Sequence, residues 1–229
     1  VTDDGKTDFD GRRLPMGAAL LSALCESAET RARLVRAAVV DADWAQDVSR
    51  ACEELLTDDR PLANAVALSV ASALVARELV PAVADTLSER KEAWLASVDP
   101  LEPSQSLAAS ALQFLARAAM PRDPRVNGVF VWALDIESLC RMAWRRLGQR
   151  APREVIPRLP NLLAQAPDLA GEVGTVFALV HGELVVDAAK VIKNIEPRVR
   201  DVVADAMKKH LYRIKAIRRW VACRQALAD

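Results

Sequence analysis

A chain of 229 residues that is 52% apolar is long enough to bury a sizeable core, and this composition excludes disorder over most of its length. Only 8 glycines and 12 prolines interrupt it, too few turn residues for an all-β protein of this size, so the expected class is all-α. Its 31 basic and 31 acidic side chains cancel overall but not locally: residues 1–120 hold 12 Lys/Arg against 19 Asp/Glu, net −7, and residues 121–229 hold 19 against 12, net +7.

Such asymmetry marks either a surface for an acidic partner or nucleic acid at one end, or simple drift across a helical stack. Cys25, Cys52, Cys140 and Cys223 stand far apart among alanine, leucine and valine. No CxxC pair occurs, so neither a zinc site nor a disulfide framework is indicated, and buried free thiols in a reducing compartment are expected. No signal peptide and no uncharged apolar run of 18 or more residues is visible, so a soluble, intracellular (cytoplasmic or nuclear) protein is expected. A chain beginning at Val1 fits a piece excised from a longer protein.

Residues 1–12 are polar, acidic and glycine-punctuated, and read as a flexible lead-in to one helical domain over residues 13–229. Within 42–57, Trp44, Val48, Cys52, Leu55 and Leu56 recur at spacings of three and four, which predicts one helix face. Leu79, Val83, Leu87, Trp94, Leu95 and Val98 predict another. Val199, Val202, Val203, Met207, Leu211, Ile214 and Val221 extend the habit over 199–221. Residues 173–192 are rich in β-branched side chains and contain Gly174 and Gly182. They read as two helices bounded by those glycines, with a buried strand pair as the alternative.

The prolines set a period. Pro61, Pro103, Pro152 and Pro197 stand near helix starts, where the missing N–H has no partner to lose. Pro81, Pro124 and Pro167 fall between them. Start signals alternating at about 21 residues and repeating at about 43 are what stacked two-helix units produce. Pro197, Val199, Arg200, Val203, Ala204, Ala206 and Met207 resemble the second-helix pattern of HEAT repeats. The resemblance implies a short α-solenoid of stacked antiparallel hairpins. An irregular helical bundle is the alternative.

Motifs for chemistry are sparse. His181 and His210 have no ligand at metal spacing, and read as satisfied or exposed side chains. No phosphate-binding glycine loop and no GxSxG occurs. The adjacent acids Glu53–Glu54 and Asp58–Asp59 cannot converge on a helix. Asp135 lies in the most apolar context of any acid. On one helix it would share a face with Trp132 and Leu139, as a buried carboxylate beside an aromatic ring. The simpler reading is an Asp that breaks the helix or faces solvent near Arg141 or Arg145. Trp132, Asp135 and Trp144, with the basic C-terminal half, look similar to the groove of the helical-repeat DNA alkylation-repair glycosylases, although that family's paired Trp–Asp motif has no copy here.

The last helices carry the clearest binding signal. Lys208, Lys209, Arg213, Lys215, Arg218, Arg219 and Arg224 crowd the end, interleaved with Tyr212 and Trp220. On a continuous helix Tyr212, Lys215 and Arg219 would share a face, as would Lys209, Arg213 and Trp220. Such a surface suits phosphates or an acidic protein segment. The expected function is a non-enzymatic scaffold or adaptor that holds a protein partner, or another domain of its parent chain, on a concave face or on these basic helices. No cofactor, metal or membrane partner is expected. Nucleic-acid binding is the second reading, with a DNA glycosylase as its enzymatic extreme.

Overall fold

The computed structural model describes residues 6–9, 12–120 and 123–228. Among these the chain is all-α apart from two short hairpins. It divides into two compact units, Val1–Met120 and Pro121–Asp229. The boundary falls where the net charge changes sign.

The first unit opens on an antiparallel pair, β1 (Lys6–Phe9) and β2 (Arg12–Pro15). The rest of the expected lead-in, residues 1–5, 10 and 11, lies outside the described residues. Four helices follow: α1 (Met16–Glu26), α2 (Ala28–Val40), α3 (Ala42–Thr57) and α4 (Pro61–Leu74). Local chemistry starts each of the last three. Ser27 accepts the Thr30 N–H at 3.1 Å, Asp41 accepts those of Asp43 and Trp44 at 3.0 and 3.2 Å, and Pro61 opens α4. The face expected on α3 forms, with Val48, Cys52, Leu55 and Leu56 buried. Helix α4 is apolar almost all round and is the unit's central helix. Its one buried amide, Asn64, donates to the Leu55 and Asp58 carbonyls, both at 2.9 Å.

Helix α4 ends at Val75, held left-handed at φ 51. A 3-10 turn, Arg77–Leu79, leads into α5 (Val80–Glu89) and α6 (Lys91–Ala96). The helix expected over 79–98 is therefore broken at Arg90. That guanidinium turns back to the Asp58 carbonyl at 2.9 Å and the Asp59 carboxylate at 3.2 Å. Val98 is correspondingly exposed, in the hairpin of β3 (Val98–Asp99) and β4 (Glu102–Ser106). Pro103 sits in β4 rather than at a helix start. Ser106 caps α7 (Leu107–Ala118), accepting the Ala109 N–H.

The second unit contains α8 (Pro124–Ala133), α9 (Cys140–Leu147), α10 (Pro152–Val155), α11 (Leu159–Gln165), α12 (Ala170–Leu179), α13 (Val185–Ile192), α14 (Pro197–Arg213) and α15 (Ile217–Ala228). Pro124 and Pro152 open α8 and α10, Pro167 opens the 3-10 turn before α12, and Pro197 opens α14. Both halves of 173–192 are helical, so the strand pair does not form. Gly174 lies inside α12, not at its end, because α14 comes so close. A Cβ there would stand 2.5 Å from the Val203 carbonyl oxygen and 2.8 Å from the Ala206 Cβ. Val199, Val203, Met207 and Leu211 form the buried face of α14.

The run expected over 199–221 is two helices. The chain reverses at Ile214–Ala216, with Lys215 left-handed at φ 57 and the Ala216 N–H closing on the Leu211 carbonyl at 2.8 Å. Ile214 and Val221 consequently face outward, and Val202 is exposed on the side of α14 away from its buried row. Cys52, Cys140 and Cys223 are buried free thiols, whereas Cys25 is half-buried. No described helix is long and apolar enough to cross a membrane.

Candidate interaction surfaces

The basic surface is set by what α14 and α15 give to the core. Helix α15 buries Trp220, Cys223 and Ala226. That spacing leaves Lys208, Lys209, Tyr212, Arg213, Lys215, Arg218, Arg219 and Arg224 exposed. Trp220 is therefore a core residue, and its expected grouping with Lys209 and Arg213 does not form. The grouping of Tyr212 with Lys215 and Arg219 also loses its basis, because the reversal at Ile214–Ala216 interrupts the helix. Arg219 lies back over the turn between α12 and α13, where a Cβ on Gly182 would stand 2.5 Å from its Nη1.

Residues 206–228 contain these seven Lys/Arg and no carboxylate, while the rest of the second unit holds 12 basic and 12 acidic residues. The unit's whole excess of positive charge thus sits on its last hairpin. Among the described residues the unit's ion pairs lie before residue 206, from Arg141–Asp168 to Arg200–Asp201. Large apolar side chains are interleaved with the cations: Tyr212 is 49% exposed, Ile214 46%, Ile217 50% and Val221 51%. The sequence reading placed Tyr212 among the cations, but it put Ile214 and Val221 on the apolar face and assigned Ile217 to none.

Asp135 is not a buried acid on a helix face. Helix α8 stops at Ala133, and Asp135 occupies the turn before α9. Its carboxylate accepts from Arg158 at 2.6 Å and Asn161 at 3.2 Å, and its carbonyl accepts from Gln165 at 2.8 Å. It fastens the α8–α9 turn to α11 and the 3-10 turn Ile156–Arg158. The simpler sequence reading, a helix-breaking Asp, is correct in kind, with Arg158 as partner in place of Arg141 or Arg145. Arg141 instead pairs with Asp168, whose carboxyl it holds below the usual range. Trp144 is in the core, its indole N–H donating to Glu172 at 2.8 Å and its ring packed on Gly148. Trp132 is half-buried on α8. With Trp144 in the core and the Asp135 carboxylate committed to Arg158 and Asn161, the expected grouping of these two with Trp132 loses its basis.

His181 is satisfied: it is buried, donates from Nε2 to the Gly148 carbonyl at 2.9 Å, and meets Phe177 edge-on at 5.9 Å. His210 departs from expectation, since its Nδ1 is shielded without a hydrogen-bond partner. Among the described residues no three His, Cys, Asp or Glu gather as a metal ion requires.

A third feature had no signal in the sequence. In the first unit, Ala28, Arg31, Ala32, Val35 and Arg36 form one face of α2. Ala65, Leu68, Ser69, Ser72 and Ala73 form one face of α4. The two faces wall a cleft of about 780 Å³, closed at one end by the β3–β4 hairpin and α7. Asp99 anchors that end. Buried, it accepts the Leu101 and Glu102 N–H groups at 2.8 and 3.3 Å and the Ser110 hydroxyl. Ser110 in turn accepts from Gln105 at 3.2 Å, and Gln105 from Gln113 at 2.6 Å. The small residues of α4 read in sequence as a helix-packing face; only the structure shows that part of it stays open.

No family model, curated protein or solved structure matches the chain.

Proposed function

We propose that the protein is a non-catalytic binding scaffold of stacked helical hairpins, HEAT-like in plan, that holds a protein segment. Support for the plan comes from the order of helix contacts. In the first unit α1 meets α2 and α3, α2 meets α3 and α4, and α3 meets α4 and α5. In the second α11 meets α13, α12 meets α14 and α13 meets α15. Contacts to the next helix and the next but one are what layered two-helix units make. The residues behind the HEAT resemblance, Pro197, Val199 and Val203, open α14 and form its buried face.

The observation that carries the reading is the cleft between α2 and α4. Its volume is that of a ligand-binding groove, its floor is of small side chains, and its rim mixes apolar residues with Arg31, Arg36, Glu102, Gln105 and Gln113. A peptide segment of a partner fits this chemistry, with Arg31 and Arg36 on one wall. Filling the groove tests it: Ser69→Trp, at an exposed floor position, should abolish capture of partner protein from lysate while far-UV dichroism stays unchanged. Capture that persists in Ser69→Trp, and also after Lys208, Lys209, Arg213, Lys215, Arg218 and Arg219 are changed to Glu, refutes the scaffold reading.

A second reading, polyanion binding at α14–α15, is favoured by the seven exposed cations with no carboxylate among them. Fluorescence anisotropy with labelled DNA and RNA at low and near-physiological salt tests its nucleic-acid form. The glycosylase extreme is not proposed, since Asp135 is tied to Arg158 and Trp144 lies in the core.

A further inference from the structure

We infer that the α14–α15 turn is a peripheral contact for an anionic lipid bilayer. The inference rests on the polyanion reading and names the polyanion. It departs from the sequence expectation of no membrane partner, and it requires no spanning helix.

Charge alone does not distinguish lipid headgroups from nucleic-acid phosphates, because both neutralise Lys and Arg. The apolar side chains do distinguish them. Single-stranded nucleic acid rewards exposed aromatic rings, on which bases stack. Here Trp220 is buried and Tyr212 is the one exposed ring of the hairpin; its companions Ile214, Ile217 and Val221 are branched aliphatics with no base to stack on. Tyr212, Ile214 and Ile217 flank a chain reversal, where the left-handed Lys215 turns α14 into α15, and Val221 follows one turn into α15. A reversal presents its side chains outward to a surface. A bilayer interface supplies what both sets lack: phosphate groups for Lys208, Lys209, Arg213, Lys215, Arg218 and Arg224, and acyl chains at slightly greater depth for the aliphatics. Four to eight Lys/Arg around an amphipathic element is the composition that anionic membranes bind.

The test is co-sedimentation of the full chain with large unilamellar vesicles, of pure phosphatidylcholine or of 70:30 phosphatidylcholine to phosphatidylserine, at low and near-physiological salt. Binding is expected to the phosphatidylserine vesicles and not to pure phosphatidylcholine. Ile214→Asn with Ile217→Asn should weaken it by roughly tenfold or more, and Lys208→Glu with Lys209→Glu by about fivefold per charge lost. Val221→Gln, on the outer face of α15, is the independent apolar variant should the double variant fold poorly. Urea midpoints establish that each variant retains its fold.

Binding that ignores the aliphatic substitutions is adsorption of charge and overturns the proposal. No binding to the phosphatidylserine vesicles at either salt overturns it too. A labelled single-stranded RNA, run in parallel, separates the two readings. RNA binding without vesicle binding keeps the polyanion reading and refutes the bilayer, and binding to neither refutes both.

Discussion

Gly174 and Gly128 should respond to the same substitution with opposite signs. Both lie inside helices of the second unit, so one unfolding transition reports both. Replacing a helical glycine by alanine restricts the unfolded chain and favours the helix by about 0.5–1 kcal/mol where space allows. At Gly128 a Cβ meets nothing within 4 Å, and the full gain is expected. At Gly174 the same atom would stand 2.5 Å from the Val203 carbonyl oxygen and 2.8 Å from the Ala206 Cβ. Carbon and oxygen touch at a little over 3 Å, and a helix carbonyl cannot swing aside as a flexible side chain does. Helix α14 must move away from α12, disturbing the buried row Val199, Val203, Met207 and Leu211. Overpacking of this kind costs about 1–3 kcal/mol, more than the propensity gain. Urea unfolding followed by far-UV dichroism measures both. A Gly174→Ala midpoint at or above wild type, with an unchanged slope, would refute the claim that α12 and α14 meet through this glycine.

Asp135→Ala should lower stability by about 1 kcal/mol, since the Arg158 and Asn161 bonds are lost from a partly exposed site; a neutral result in the same urea assay would mean the clasp is ornamental. Iodoacetamide at pH 8, read by peptide mass spectrometry, should modify Cys25 first. Burial pushes the Cys52 thiol up to about 12 and the Cys223 thiol up to about 11. At pH 8 the Cys52 thiolate is then only about one part in ten thousand, and labelling before unfolding would contradict its placement. Asp58 is held down at about 2, chiefly by the hydrogen bond from Arg60, whose side chain approaches within 2.6 Å. A depressed carboxylate contributes stability above its ordinary value of 3.8 and loses it as pH falls from about 4 through 2. Carbon-detected titration should find Arg60→Ala returning Asp58 towards 3.8; an unmoved titration would refute the pairing.

Legibility in the sequence followed locality. Pro61, Pro81, Pro124, Pro152 and Pro197 each fall in a first helical turn, because a missing N–H acts on its own residue. Pro103 failed for want of the hairpin, which Asp99 and Ser110 build from opposite ends of an 11-residue span. The periodicity of α14 was read correctly at Val199, Val203, Met207 and Leu211. It was overextended through Ile214 to Val221, since apolar spacing does not reveal a left-handed residue at Lys215. Asp135 was judged by its apolar neighbours in sequence, while its partners Arg158, Asn161 and Gln165 lie more than twenty residues away. The cleft was invisible for a related reason. A face of Ala65, Ser69 and Ala73 reads the same whether its neighbour covers it or stands off.

The charge gradient changes meaning once the structure localises it. Read over half the chain, a net +7 suits gradual drift along a stack. In the fold, the first 85 residues of the second unit are nearly balanced, 12 Lys/Arg against 11 Asp/Glu with ion pairs such as Arg141–Asp168 and Arg158–Asp135 among them, and the excess is confined to residues 206–228. Packing does not require it, because the core side of α15 is made by Trp220, Cys223 and Ala226 whatever faces outward. Seven like charges on one hairpin repel one another and oppose the compact state. Interleaving them with Ile214, Ile217 and Val221 adds exposed apolar area that water disfavours. Two unfavourable features at one surface, neither needed by the core, are what the proposed bilayer contact would relieve together.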